Sequence, residues 1–97
     1  MSEPHSLADV RSRIDDLDTQ LVALLARRQQ LVEAAAGFKH HEQAVRAPDR
    51  VERVVTTVRA NAMAAGLDTG VAETVWRAMI TAFTELELSR HRATTER

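Results

Sequence analysis

From Leu7 to Ala36 the chain runs without a glycine or proline while leucine, valine and isoleucine recur at helical spacing. Leu7, Val10, Ile14, Leu17, Leu21, Leu24 and Leu31 fall on a heptad-like seam built largely of steps of three and four. Ser6 is placed to cap the start, and Asp9 three residues on comes close to a capping box. The pattern predicts a helix reaching about His40 or His41, weakened near Gly37, and on the order of 50 Å long at ~1.5 Å per residue. A globule of 97 residues is narrower than that. The seam therefore needs a partner along its whole length, and association with a second copy is a common way for so short a domain to complete its core.

The remainder reads as two further helices. His40 to Ala47 is predicted to be a polar loop, and Pro48 suits the first turn of a second helix. That helix carries Val51, Val54, Val55, Val58 and Ala62 on one face and stops near Gly66. Asp68 or Thr69 opens a third, with Val71, Val75, Trp76, Met79, Ile80, Phe83 and Leu86 facing inward and a polar tail that frays after Ser89. Three glycines, two prolines and no tyrosine disfavour a turn-rich β fold. The expectation is one all-α domain over residues 1–97, with a core at about 7–91 and helices in the order long, medium, long.

Composition removes several classes of function. A net charge of −1 supplies no global field to draw the chain to nucleic acid or to a membrane. The absence of cysteine excludes disulfides, thiolate metal sites and a cysteine nucleophile. The polar stretch Met1–Leu7 is unlike a signal peptide, and no apolar run approaches the ~20 residues that span a bilayer, so the expected location is the cytoplasm. His40, His41 and Glu42 are adjacent, their side chains diverge, and no second cluster supports them, so no metal is expected. No glycine-rich phosphate loop and no serine–histidine motif is present.

What remains is a set of charges that break the apolar pattern. Arg28 lies in the seam itself, on the series of sevens Leu7, Ile14, Leu21, Arg28, Ala35. A guanidinium there must be paired with a carboxylate, snorkel to solvent or face an anionic ligand. Lys39, eleven residues on, is predicted to point the same way at ~100° per residue, about 16 Å along the axis, so that two long cations could converge on one small ligand. Taken alone it is also an ordinary solvated lysine at a helix end. Arg11 flanks the seam roughly 25 Å from Arg28, too far for one ligand within one chain. In an antiparallel pair of such helices it approaches the partner copy's Arg28 region; otherwise it is a surface arginine. Glu87 continues Trp76, Ile80 and Phe83 at i, i+4, i+7 and i+11 on the apolar face of the third helix. A carboxyl in that position is either protonated, and so able to donate a hydrogen bond, or paired with a core arginine. Arg50 sits in the first turn of the second helix, where a cation is unfavourable unless Asp49, Glu52 or a bound anion offsets it. Arg46, in the predicted loop, could equally face solvent.

With these residues in place the chain resembles the all-helical chorismate mutase family, including its isochorismate pyruvate-lyase relatives. The resemblance runs from about Leu7 to His91 through LADVRSRIDDLDTQLVALLARRQQLVEAAAGFK, VRAPDR, GLD and VWRAMITAFTELEL, whose order and spacing together are specific. It implies a three-helix protomer in an intertwined homodimer, with long first helices paired and each site drawing on both chains. Arg28, Lys39 and Arg50 match the family's substrate-binding cations, Arg11 the arginine supplied by the other chain, and Glu87 the glutamine or glutamate that bonds the substrate's ether oxygen. The implied reaction is a pericyclic rearrangement of a small dicarboxylate that needs no cofactor; Arg28, Lys39 and Glu87 would carry the catalysis.

Two departures bear on the substrate. Typical mutases have a glutamate directly after the arginine matched by Arg50, where this chain has Val51, and an acidic residue where it has Ala47. The lyase relatives resemble this chain at that APxRV stretch, yet resemble the mutases in carrying glutamine at the position of Glu87. Phe83 stands where some mutases have a small polar residue. The first expectation is a mutase acting on chorismate or its 4-amino analogue, followed by isochorismate pyruvate-lyase. A non-catalytic helical dimerisation module is the reading from a different class.

Overall fold

The computed structural model describes residues 2–39 and 41–95. It is all-α, with helices α1 (Leu7–Ala36), α2 (Glu42–Arg46), α3 (Pro48–Ala65) and α4 (Thr69–Thr95). The chain divides into two compact units, one ending at Leu31 within α1 and one beginning at Val32.

In the first unit the helix starts as its residues require. The Ser6 hydroxyl accepts the Asp9 N–H at 3.0 Å, and the Asp9 carboxylate accepts the His5 N–H at 3.0 Å and pairs with Arg13. The reciprocal half of the capping box is thus displaced by one residue. Among the described residues α1 buries none. Its predicted seam is open, with Leu7 at 62 % exposure, Leu21 at 54 % and Leu31 at 71 %.

The second unit corrects the expected first boundary. The helix stops at Ala36 rather than near His40, and the chain turns through Gly37 and Phe38. The N–H groups of Gly37, Phe38 and Lys39 each bond a carbonyl three residues back, at 3.0–3.2 Å, which tightens and ends the last turn. Lys39 therefore lies beyond the helix, and its phase relation to Arg28 does not hold. The expected loop is also corrected: residues 42–46 form α2, whose first turn is capped by His41 Nδ1 accepting the Ala44 N–H. His40 lies outside the described residues. Arg46 closes this short helix instead of lying in a loop.

α3 begins at Pro48 and ends at Gly66, as read from the sequence. Gly66 adopts φ 78°, a left-handed conformation that glycine enters without steric cost, and Leu67 N–H then reaches the Ala62 carbonyl at 2.8 Å. Asp68 caps α4 through the Val71 N–H at 2.9 Å. α4 does not fray after Ser89 but continues to Thr95, and two ion pairs (Arg90–Glu33 and Arg92–Glu42) tie this extension to the segments before it.

α4 packs against both α3 and α2. The buried core is Val45 of α2, Val55 and Ala62 of α3, and Ala72 and Leu88 of α4. Val71 and Val75, expected to face inward, are about half exposed; the small Ala72 takes the interior position that lets α3 and α4 approach. A ladder of charges crosses the same pair of helices. The Arg77 guanidinium donates two bonds to Glu52, at 2.8 and 2.9 Å, and one to Glu73 at 2.8 Å, while Arg59 bonds Glu73 at 2.7 Å. The Arg77 hydrogen bonds hold both carboxyls below their usual range, assisted at Glu73 by Arg59. Among the described residues no helix is long and apolar enough to cross a membrane.

Candidate active site

Glu87 is the one buried charged side chain among the described residues. Its position follows from the periodicity of α4: Ile80, Phe83 and Glu87 succeed one another on the half-buried stripe, and Leu88 beside it is core. A carboxylate removed from water demands a counter-charge. Lys39 supplies it, with Nζ donating to Oε2 at 3.0 Å across 48 positions of sequence. The Glu87 side chain is 5 % exposed and that of Lys39 27 %, so the carboxylate end is dry while the ammonium keeps contact with solvent.

The partner of Glu87 is thus a lysine and not the core arginine considered from the sequence. The same turn that takes Lys39 off the helix axis lets it reach α4. Ion pairs Arg90–Glu33 and Arg92–Glu42 lie on either side in sequence, so the segment carrying Lys39 is fastened to the C-terminal half of α4 at three places. Sequence reasoning missed the two flanking pairs. The signal available for them was the basic content of the tail after Ser89, which was read as solvated.

Arg50 occupies the first turn of α3 with its side chain exposed, beside Asp49. Directly before that helix, Ala47 adopts φ 36° and ψ 63°. Arg28 and Arg11 both lie on α1, in the first unit; Arg28 is half-buried and Arg11 exposed. Of the five residues singled out from the sequence, the structure therefore brings Lys39 and Glu87 into direct contact and places Arg50 in the same unit.

Chemically, the pair is a cation donor beside a carboxyl at the edge of an apolar helix pair. It can grip an anionic group and offer a second hydrogen-bonding group close by, without a nucleophile. Among the described residues no cluster of histidine, aspartate and glutamate could hold a metal ion.

Residues 10–88 match the family described as Chorismate mutase type II. The chain is similar to isochorismate pyruvate lyase of Pseudomonas aeruginosa, with 38 % identity over 74 residues that cover 76 % of this chain and 73 % of that protein. It is also similar to the T-protein of Haemophilus influenzae, with 37 % identity over 78 residues. That match covers 79 % of this chain and 21 % of the T-protein, so the chain spans about a fifth of that relative's length.

Proposed function

The chain belongs to the chorismate mutase type II family, and we propose that it rearranges chorismate to prephenate or a close analogue such as 4-amino-4-deoxychorismate. The observation that carries this reading is the Lys39–Glu87 pair at 3.0 Å. A pericyclic reaction forms and breaks its bonds within one molecule, so the protein has to hold a compact conformer and stabilise charge developing on the ether oxygen. Lys39 binds a substrate carboxylate and the ether oxygen, and Glu87 beside it is the second hydrogen-bonding group at that oxygen. Arg28 and Arg11 grip carboxylates through planar forks suited to two-point contact, and Arg50 adds a fourth cation.

The open seam of α1 supports a homodimer in which two first helices pair. Arg11 then comes from the other chain. In a mixture of Arg11→Ala and Arg28→Ala proteins, subunit exchange leaves one intact site in each mixed dimer, and about a quarter of wild-type turnover returns. A mixture no more active than either variant contradicts a shared site.

The second reading, isochorismate pyruvate-lyase, draws on the similarity to the Pseudomonas aeruginosa protein and on the VRAPDR stretch. Product analysis with chorismate, aminodeoxychorismate and isochorismate in parallel separates the two. Prephenate or its amino analogue supports the rearrangement, and salicylate with pyruvate supports the lyase.

A further inference from the structure

Beyond Ser89, α4 carries two arginines that are each engaged with a carboxylate far away in sequence. Arg90 pairs with Glu33, and Arg92 donates to Glu42 at 2.8 Å. These carboxylates bracket Lys39, one six residues before it and one three residues after. Glu33 stands in the last turn of α1, where the free carbonyls disfavour a carboxylate and where that helix has no cation of its own. Arg90 supplies the missing cation from α4. Glu42 opens α2, and the hydrogen bond and charge of Arg92 hold its carboxyl below the usual range.

Burial does not hold this stretch in place. Among the described residues from 37 to 41 none is buried, and Phe38 is 83 % exposed. The next buried residue described along the chain is Val45, six positions on from Lys39. The ammonium therefore meets Glu87 at the end of a flexible side chain, on a backbone that packing leaves loose. Along α4, Arg90 and Arg92 follow Glu87 by three and five residues, about 4.5 and 7.5 Å at ~1.5 Å per residue. One continuous helix thus sets the spacing of all three contacts.

We propose that Arg90 and Arg92 are positioning residues for Lys39. They hold the backbone on either side of it against α4, so that its ammonium stays aimed at Glu87 and at the substrate oxygen bound there. Neither arginine touches the substrate. Their effect on turnover rests on the rearrangement proposed above; their hold on the backbone does not. Exposed ion pairs add little to global stability, yet each shifts a local opening equilibrium by up to about fivefold. Misplacing a catalytic group costs more, up to about a hundredfold in rate per Å.

The chain contains one lysine, so a chemical probe of its ε-amine reads this site alone. The rate at which acetic anhydride modifies Lys39, followed by mass spectrometry of the peptide that contains it, reports how often the amine leaves Glu87. In the full chain carrying Arg90→Gln and Arg92→Gln that rate is expected to rise about tenfold, and about two- to fivefold with either change alone. Arg92→Glu should raise it likewise, and adding Glu42→Arg should return it to within about twofold of the wild type. The Arg90→Gln/Arg92→Gln protein should still unfold cooperatively in urea. Its kcat should fall about tenfold while KM changes less than about threefold, because the other cations of the site still grip the substrate. An unchanged Lys39 modification rate, or a charge swap that fails to restore it, overturns the tether. A raised rate with kcat at its wild-type value overturns the positioning role. Absence of turnover in the wild type would sink the rearrangement reading by itself, and the modification rates would still decide the tether.

Discussion

Lys39→Met is expected to abolish turnover and to loosen the second unit at the same time, and adding Glu87→Gln is expected to separate the two effects. In the single variant the Glu87 carboxylate, 5 % exposed, loses the cation 3.0 Å away. Removing one member of a buried pair leaves an uncompensated charge; because Lys39 retains some solvent contact, the expected loss of stability is about 1–3 kcal/mol. The loss of turnover is larger. A positioned cation aimed at a carboxylate and a developing ether oxyanion contributes about three orders of magnitude in kcat/KM, equivalent to ~4 kcal/mol. Gln at position 87 carries no charge to strand, so the double variant should return to within about 1 kcal/mol of wild-type stability in urea unfolding. Its turnover should stay depressed. A double variant that regained turnover along with stability would assign Lys39 a purely structural role.

Glu87→Gln and Glu87→Leu are expected to part in turnover. Glutamine is close in shape to glutamate and keeps a hydrogen-bonding group beside Lys39, whereas leucine keeps none. Glu87→Gln should hold kcat/KM to within about tenfold of the wild type, and Glu87→Leu should lose about two to three orders of magnitude, the worth of one positioned donor. Neither variant strands a buried carboxylate, so both should remain folded in urea unfolding. A Glu87→Leu protein as active as the wild type would remove Glu87 from the site.

The sequence made the helices legible wherever local chemistry decides. Ser6, Pro48, Gly66 and Asp68 each act at the position where the spacing put them, because caps and stops depend on the residues beside them. Glu87 was legible as an anomaly on an apolar face, and it is buried. Its partner was not: Lys39 was assigned by helical phase to the end of α1, and it reaches α4 only because the helix stops at Ala36. Gly37 marked that weakness without fixing the turn. The Glu42–Arg46 helix escaped notice because five residues are too few to show a period, and its Val45 is buried by tertiary packing. The tail after Ser89 was misread for the same reason, since Arg90 and Arg92 are ordered by carboxylates far away in sequence. The seam of α1 was read correctly as unsatisfied within one chain, and Leu7, Leu21 and Leu31 remain more than half exposed.

The measurement that bears most directly on this account is the identity and rate of the product formed from chorismate and its 4-amino analogue by the purified chain, followed against the spontaneous reaction. The account predicts prephenate or its amino counterpart, at a rate at least about a millionfold above background, the lower end of enzymatic acceleration. Background rates with both substrates, or salicylate and pyruvate formed from isochorismate alone, would contradict it.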